Sequence, residues 1–282
     1  MTTPETSRGQ HPLDTATFLE PLGGGRYRGH TSAAYANMVG PFGGIIAATL
    51  MNAIRIHPER LGEPLALTVN FAGPVSDGEF IVSTRVLRTN RTTQHWTVEL
   101  TQGDQVGASA TAVFATRRDT WSATEARFPA AGPAAGIERA TPIERATPIE
   151  RANWTAAYDM RFVRGQFDLA EDDNGQRDSV TTLWVRDEPP RPLDFISLTA
   201  ICDVFYPRIF IRRPRWVPAS TVSLTIYFHA DTDRLGLLDQ RAVLGTARAL
   251  HFGNGYFDQT AEIWSDDQTL LASTHQVVYF KE

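Results

Sequence analysis

One pattern occurs twice along the chain and decides most of what it can fold into: a helix-length stretch, apolar nearly all round, followed by four strand-length segments. In the first copy the stretch is Ile45–Ile56, where Ile45, Ile46, Thr49, Leu50, Ala53 and Ile54 cover most of the circumference. A helix of that kind is buried on most sides. His57-Pro58 stops it. The segments Leu65–Phe71, Glu79–Thr89, Gln94–Gln102 and Val106–Thr116 come next, punctuated by Gly73-Pro74, Asp77-Gly78, Asn90-Arg91 and Gly103-Asp104. Their valines, isoleucines and threonines alternate with polar residues, as in antiparallel strands with one buried face.

The second copy has its helix at Leu193–Pro207 and its strands at Ala219–His229, Arg241–Phe252, Gly255–Ser265 and Leu270–Phe280. Leu67-Thr68-Val69-Asn70-Phe71 matches Leu224-Thr225-Ile226-Tyr227-Phe228 in pattern. A helix without a polar face needs a sheet curled about it. The expectation is therefore an α+β chain with a double hot-dog fold: two antiparallel sheets, each wrapped around a central helix, at 15–118 and 154–282. Joining the sheets edge to edge would cover two otherwise unpaired strands.

Residues 119–153 differ in kind. Alanine, proline and glycine dominate, and Glu138-Arg139-Ala140-Thr141-Pro142-Ile143 recurs at Glu144–Ile149, with a third start at Glu150-Arg151-Ala152. A six-residue period is too short for a helical solenoid and three partial copies are too few for a β-helix. An exposed linker lengthened by replication slippage accounts for it, and Ala130–Ala152 is expected to be loose. The first 20 residues read as a loose leader.

Composition narrows the function. The net charge of −5 over 282 residues argues against nucleic acid as the main partner. The longest apolar runs, such as Gly43–Leu50, fall well short of the ~20 residues that span a bilayer, so no membrane role is expected. Met1–Gln10 has no apolar signal region, and the one cysteine, Cys202, cannot form an internal disulfide; both fit a reducing, cytoplasmic setting. The seven histidines show no metal-ligand spacing, so neither a metal nor a cofactor is expected. Gly23-Gly24-Gly25 is not followed by a helix and reads as a turn, not a phosphate loop. No Gly-x-Ser-x-Gly elbow occurs.

Three local matches carry a resemblance: Asp203 in Ala200-Ile201-Cys202-Asp203, Thr221 in Ser220-Thr221-Val222-Ser223-Leu224, and Gln276 in Ala272-Ser273-Thr274-His275-Gln276. Phe42-Gly43-Gly44 opens the first central helix in the same style. In these features the sequence resembles the acyl-CoA thioesterase II family, over nearly the whole chain apart from leader and linker. The resemblance implies an acyl-CoA substrate, and it implies that Asp203, Thr221 and Gln276 together orient and activate a water for thioester hydrolysis. One departure stands out: the Asp-His pair common in the strand after the threonine is replaced by Ser223-Leu224, although Phe228-His229 is kept.

The residues themselves give that chemistry a basis. A carboxylate among Leu198, Ile201 and Phe205 is expensive unless it meets donors or water. Thr221 and Gln276 both donate and accept, and so suit a water held beside a carboxylate. By type alone they also suit a solvated sheet face. Gly43 and Gly44 offer helix-start N–H groups to a developing oxyanion and let substrate approach; tight helix–sheet packing is the alternative. Arg212 and Arg213, with Arg208 and Arg215 nearby, are candidate contacts for coenzyme A phosphates, against the plainer reading of a solvated loop. Cys202 reads as a small buried apolar residue. The first central helix has no acid, and the counterpart of Asp203 falls near Leu50, so one active site per chain is expected. Two other functions stay open: a hydratase or dehydratase acting on an enoyl thioester, with His229 or His275 reaching Asp203, and a non-catalytic acyl-CoA or lipid binder. Nothing in the sequence fixes the number of subunits, and a homo-oligomer fits as well as a monomer.

Overall fold

The structure is a computed structural model that describes residues 10–142, 152–167, 178–213 and 215–282. Its helices are α1 (Pro12–Ala16), α2 (Gly43–Arg55), α3 (Phe195–Ile201), α4 (Arg208–Arg212) and α5 (Thr232–Leu238). The strands of the first half are β1 (Glu20–Gly23), β2 (Arg26–His30), β3 (Ala36–Asn37), β4 (Gly40–Pro41), β5 (Glu63–Phe71), β6 (Glu79–Thr89), β7 (Thr93–Gln102) and β8 (Gln105–Ala115). Those of the second are β9 (Tyr158–Arg164), β10 (Thr181–Asp187), β11 (Ala219–Phe228), β12 (Val243–Arg248), β13 (Phe252–Gly253), β14 (Tyr256–Trp264) and β15 (Leu270–Phe280).

All but β3 and β4 belong to one antiparallel sheet, in the order β1-β2-β6-β7-β8-β5-β11-β15-β14-β12-β10-β9, with β13 on β14. The two sheets expected from the repeat are thus one sheet. The reason lies at its middle, where β5 and β11 would each otherwise leave a row of unpaired backbone groups. They pair instead from Asn70↔Ser223 to Ala66↔Tyr227, and Thr68 Oγ1 lies 3.1 Å from Thr225 Oγ1 across the seam.

Alternation sets which side chains face inward. On β7, Gln94, Trp96, Val98 and Leu100 are buried while the residues between them are more exposed. On β15 the inward set is Ala272, Thr274, Gln276, Val278 and Phe280. Helix α2 is buried at every position from Gly44 to Ile54 and packs on β5, β6, β7 and α3, as its missing polar face requires. Leu50 sits fully buried within it.

Four expectations need correction. Residues 10–20 are not loose: His11 caps α1 by accepting the Leu13 N–H, Leu13 and Leu19 are buried, and Asn52 Nδ2 donates to the Thr17 carbonyl at 2.8 Å. The second helix ends at Ile201, well before Pro207, and a tight turn in which Asp203 N–H meets the Ala200 carbonyl carries the chain away. Strands β9 and β10 were not expected. In β10 almost every residue is buried, so the two-residue alternation that marks a strand is lost. Finally, residues 126–140 are held down. Ala126, Phe128, Ala131 and Ile137 pack on Trp184, Leu244 and Trp264, Trp184 Nε1 donates to the Gly132 carbonyl, and Arg139 pairs with Glu188. The remaining hexapeptide copies, at 143–151, lie outside the described residues.

Candidate active site

Asp203 is placed by the turn that ends α3. That turn points its carboxylate at the first turn of α2, in the other half of the chain. Oδ1 accepts from Gln276 Nε2 at 2.7 Å, and the Gly44 N–H also donates to the carboxylate. The glycine pair has a local reason. A Cβ on residue 43 would lie 2.7 Å from Asp203 Oδ2, and one on residue 44 would lie 2.6 Å from the Ala200 carbonyl oxygen. Both distances are shorter than side chains tolerate, so glycine permits the helix start and the acid to meet.

Gln276 reaches Asp203 because it lies on the inward face of β15. Thr221 reaches Gln276 because of a bulge. The β11–β15 register shifts between Thr221↔Val278 and Ser223↔Val277, leaving Val222 as the extra residue, 40% exposed. Without that bulge the inward set of Leu224, Ile226 and Phe228 would continue to Val222, not to Thr221. With it, Thr221 Oγ1 donates a long hydrogen bond, 3.5 Å, to Gln276 Oε1. The three residues singled out in the sequence therefore form one chain, Thr221 to Gln276 to Asp203.

These groups line a cavity of about 500 Å³. Its walls are mainly apolar and rich in rings, among them Phe42, Phe71, Trp154, Phe205 and Trp216. Phe42 and Trp154 stack with centroids 4.4 Å apart and so brace the entrance to α2. Burial raises the pKa of Asp203 to about 7; the Gln276 and Gly44 donors pull it back only in part. A carboxyl poised near neutrality, 8% exposed and open to a cavity, can exchange a proton with a bound molecule.

Other candidates fall elsewhere. Arg212 and Arg213 line a separate surface pocket with Ile209, Phe252 and Glu282, which shares no lining residue with the Asp203 cavity. Arg213 and Arg215 both pair with Glu282. Arg208 is fully buried, donating to the Ser179 carbonyl and to Thr181 Oγ1, and serves to tie α4 to β10. Cys202 is buried beside the site with its thiol pushed up by desolvation, which keeps it protonated. His229 bonds to Ser273 and His275 to Asp258, and neither lines the cavity. Sequence reasoning missed Gln259, an inward residue of β14 directly opposite Gln276. Its only signal was its place in the alternation of Phe257, Gln259, Ala261 and Ile263. Among the described residues no group of three or more His, Cys, Asp or Glu side chains could hold a metal ion, and no helix is long and apolar enough to cross a membrane.

Comparison with known proteins gives the family. The model of the acyl-CoA thioesterase N-terminal domain matches residues 32–115, and that of the acyl-CoA thioesterase C-terminal domain matches residues 129–280. The chain belongs to the acyl-CoA thioesterase family, and with it to the thioester hydrolases. Among solved structures it is similar to a conserved protein of unknown function with a hot dog fold from Alicyclobacillus acidocaldarius, at 46% identity and a TM-score of 0.88 over 97% of this chain and 99% of that one. It also shares its fold with an acyl-CoA thioesterase II, TesB2, from Mycobacterium marinum, at 18% identity and a TM-score of 0.74 over 95% and 98% of the two chains. A search of curated proteins gives no match.

Proposed function

We propose that this chain hydrolyses acyl-CoA to a free carboxylic acid and coenzyme A, with Asp203 as the base and Thr221 and Gln276 as the groups that orient its water. The observation that carries this reading is the meeting of a buried, near-neutral carboxyl with the N-terminus of α2 at the wall of an apolar cavity. Gln276 holds Oδ1, which leaves Oδ2 and the Thr221 hydroxyl to hold a water. Asp203 takes one proton as the water oxygen bonds to the thioester carbonyl carbon. The carbonyl oxygen becomes an oxyanion at the start of α2, where the Gly44 N–H is engaged by Asp203 and the Gly43 N–H would be the donor to the oxyanion. Collapse of the tetrahedral species breaks the C–S bond, and the departing thiolate recovers the proton from Asp203.

The same reading covers the finer points of fold and substrate. Contacts of α2 with β5, β6 and β7, and of α3 with β10, support one hot-dog unit around each helix. Arg212 is exposed on α4, whose Phe210 lines the cavity, so phosphates of coenzyme A lying over that rim would meet Arg212 and Arg213. A hydratase is disfavoured because His229 and His275 engage Ser273 and Asp258 instead of the cavity. The test is turnover of the pure protein on a panel of acyl-CoAs, with released thiol trapped by a chromogenic disulfide. Thiol release that disappears in Asp203→Asn supports the proposal. Binding without turnover on the whole panel overturns it in favour of a binder.

A further inference from the structure

Three adjacent strands put polar side chains on the inner face of the sheet around the cavity: Thr221 on β11, Gln276 on β15 and Gln259 on β14. The first two connect to Asp203. Gln259 does not. It is 1% exposed, against 8% for Asp203, so it is the more deeply set of the two. Its amide makes no hydrogen bond to a side chain or backbone group among the described residues, yet it is not sealed off within the protein, because it lines the cavity. Its inward neighbours along the strand are Phe257 and Ala261, which offer no partner. A buried amide with two donors and an acceptor calls for a partner, and leaving it dry costs about 1–3 kcal/mol. Among the described residues, the cavity it lines is open space that can hold that partner.

We propose that Gln259 is a specificity-determining residue that selects acyl groups carrying a hydrogen-bonding oxygen along the chain, such as a hydroxyl, over plain alkanoyl groups. The inference rests on the thioesterase reading above, since it takes Asp203 to mark the position of the thioester. Gln259 lies one strand, about 4.8 Å, beyond Gln276. That offset, and its greater depth, place the matching oxygen a few carbon bonds into the acyl chain. A plain alkyl chain would fill the apolar space but strand the amide. A site built to hydrogen-bond its substrate discriminates against the analogue that lacks the partner group.

The test compares hexanoyl-CoA with its derivatives hydroxylated on the third, fourth or fifth carbon. Hydrolysis is read as kcat/KM in the wild type and in Gln259→Met, which keeps length and volume and removes the amide. Binding of the same thioesters is read in parallel by quenching of tryptophan fluorescence in the Asp203→Asn background, since Trp154 and Trp216 line the cavity. The wild type should prefer one hydroxylated isomer over hexanoyl-CoA by about tenfold or more, and Gln259→Met should bring that ratio near one. Gln259→Glu, whose buried carboxyl still offers oxygens to the substrate hydroxyl, should retain part of the preference. A wild type without preference overturns the proposal even if Gln259→Met does not fold. An equal loss on all thioesters in Gln259→Met also overturns it, by assigning Gln259 to the carbonyl or the pantetheine arm they share. If nothing is hydrolysed but the binding ratio shifts as stated, the thioesterase reading fails and the selectivity stands.

Discussion

Gln276 Nε2 donates to Asp203 Oδ1 at 2.7 Å, and this one hydrogen bond joins residues 73 apart in sequence. It occupies one carboxylate oxygen, and the Gly44 N–H is a further donor to the same group. The same glutamine accepts from Thr221 through its own carbonyl, so the proposed water would sit at the second carboxylate oxygen. The placement of that water, the pH profile and the effect of a methyl at residue 43 all depend on this division between the two oxygens.

Asp203→Asn keeps the shape and removes the proposed base. Turnover on the best acyl-CoA should fall by about 10²–10⁴-fold. Melting followed by circular dichroism should stay within a few degrees of wild type, because no cavity is made. Full turnover in a folded Asp203→Asn would move the base elsewhere.

The pH dependence has a definite sign. The base role proposed for Asp203 requires its ionised form, so with its pKa raised to about 7, kcat/KM should climb about tenfold per pH unit below 7 and level off above it. Gln276→Leu removes a donor that favours the ionised form, so the climb should shift to higher pH. Stability runs the other way. The folded pKa lies above the ordinary value of 3.8, so the contribution is full below that value and is lost as pH rises through about 7. Thermal melts across this range should therefore show a smaller decline in Asp203→Asn than in wild type.

The two glycines should separate function from stability. In Gly43→Ala the new methyl meets the Asp203 side chain, which can swing aside, so turnover should fall by at least about tenfold with little change in Tm. In Gly44→Ala it meets the Phe42 ring and, at 2.6 Å, the Ala200 carbonyl oxygen; that backbone cannot swing aside, so α2 and α3 are forced apart and the Phe42 ring is displaced. That overpacking should cost about 1–3 kcal/mol and lower Tm by several degrees in differential scanning calorimetry.

Arg212→Ala should raise KM for an acyl-CoA by several-fold and leave kcat unchanged, as expected when a binding contact away from the reacting atoms is lost. The same acyl group carried on pantetheine, which lacks the nucleotide phosphates, should show no change. Equal effects on both carriers would remove Arg212 from phosphate binding.

Phe128→Ala tests the strap over the outer face of the sheet. Phe128 meets Trp264 edge-on with centroids 5.8 Å apart, and its loss should cost about 1–2 kcal/mol and lower Tm by a few degrees. An unchanged melt would mean that the strap contributes nothing to stability.

Much of the fold and site was legible in the chain, and the exceptions have physical causes. The mostly apolar helix at Gly43–Arg55 and the strands β6 and β15 announce themselves by period, and Gln276 inherits its inward direction from β15. Thr221 could not be aimed from alternation alone, because its direction depends on the bulge at Val222. Strand β10 lost its alternation because it is covered on both faces, and residues 126–140 looked like a linker because alanines and prolines pack as readily as they dangle. Gln259 carried no motif; only the register opposite Gln276 gives it meaning.

The seam between β5 and β11 has a consequence for how the protein would fail. Asp203, Thr221 and Gln276 all come from the second half, but the glycines that face them come from the first, so the site is assembled only while the two halves stay in register. Partial openings of a fold cost less than global unfolding, and the strand pair that joins the two halves, together with the α2–α3 contact beside it, is a natural place for one. On heating, each meander could keep its own hydrogen-bonded ladder after the seam had slipped. Catalysis would then be the earliest property to disappear, while the circular dichroism of the strands still reported an intact molecule.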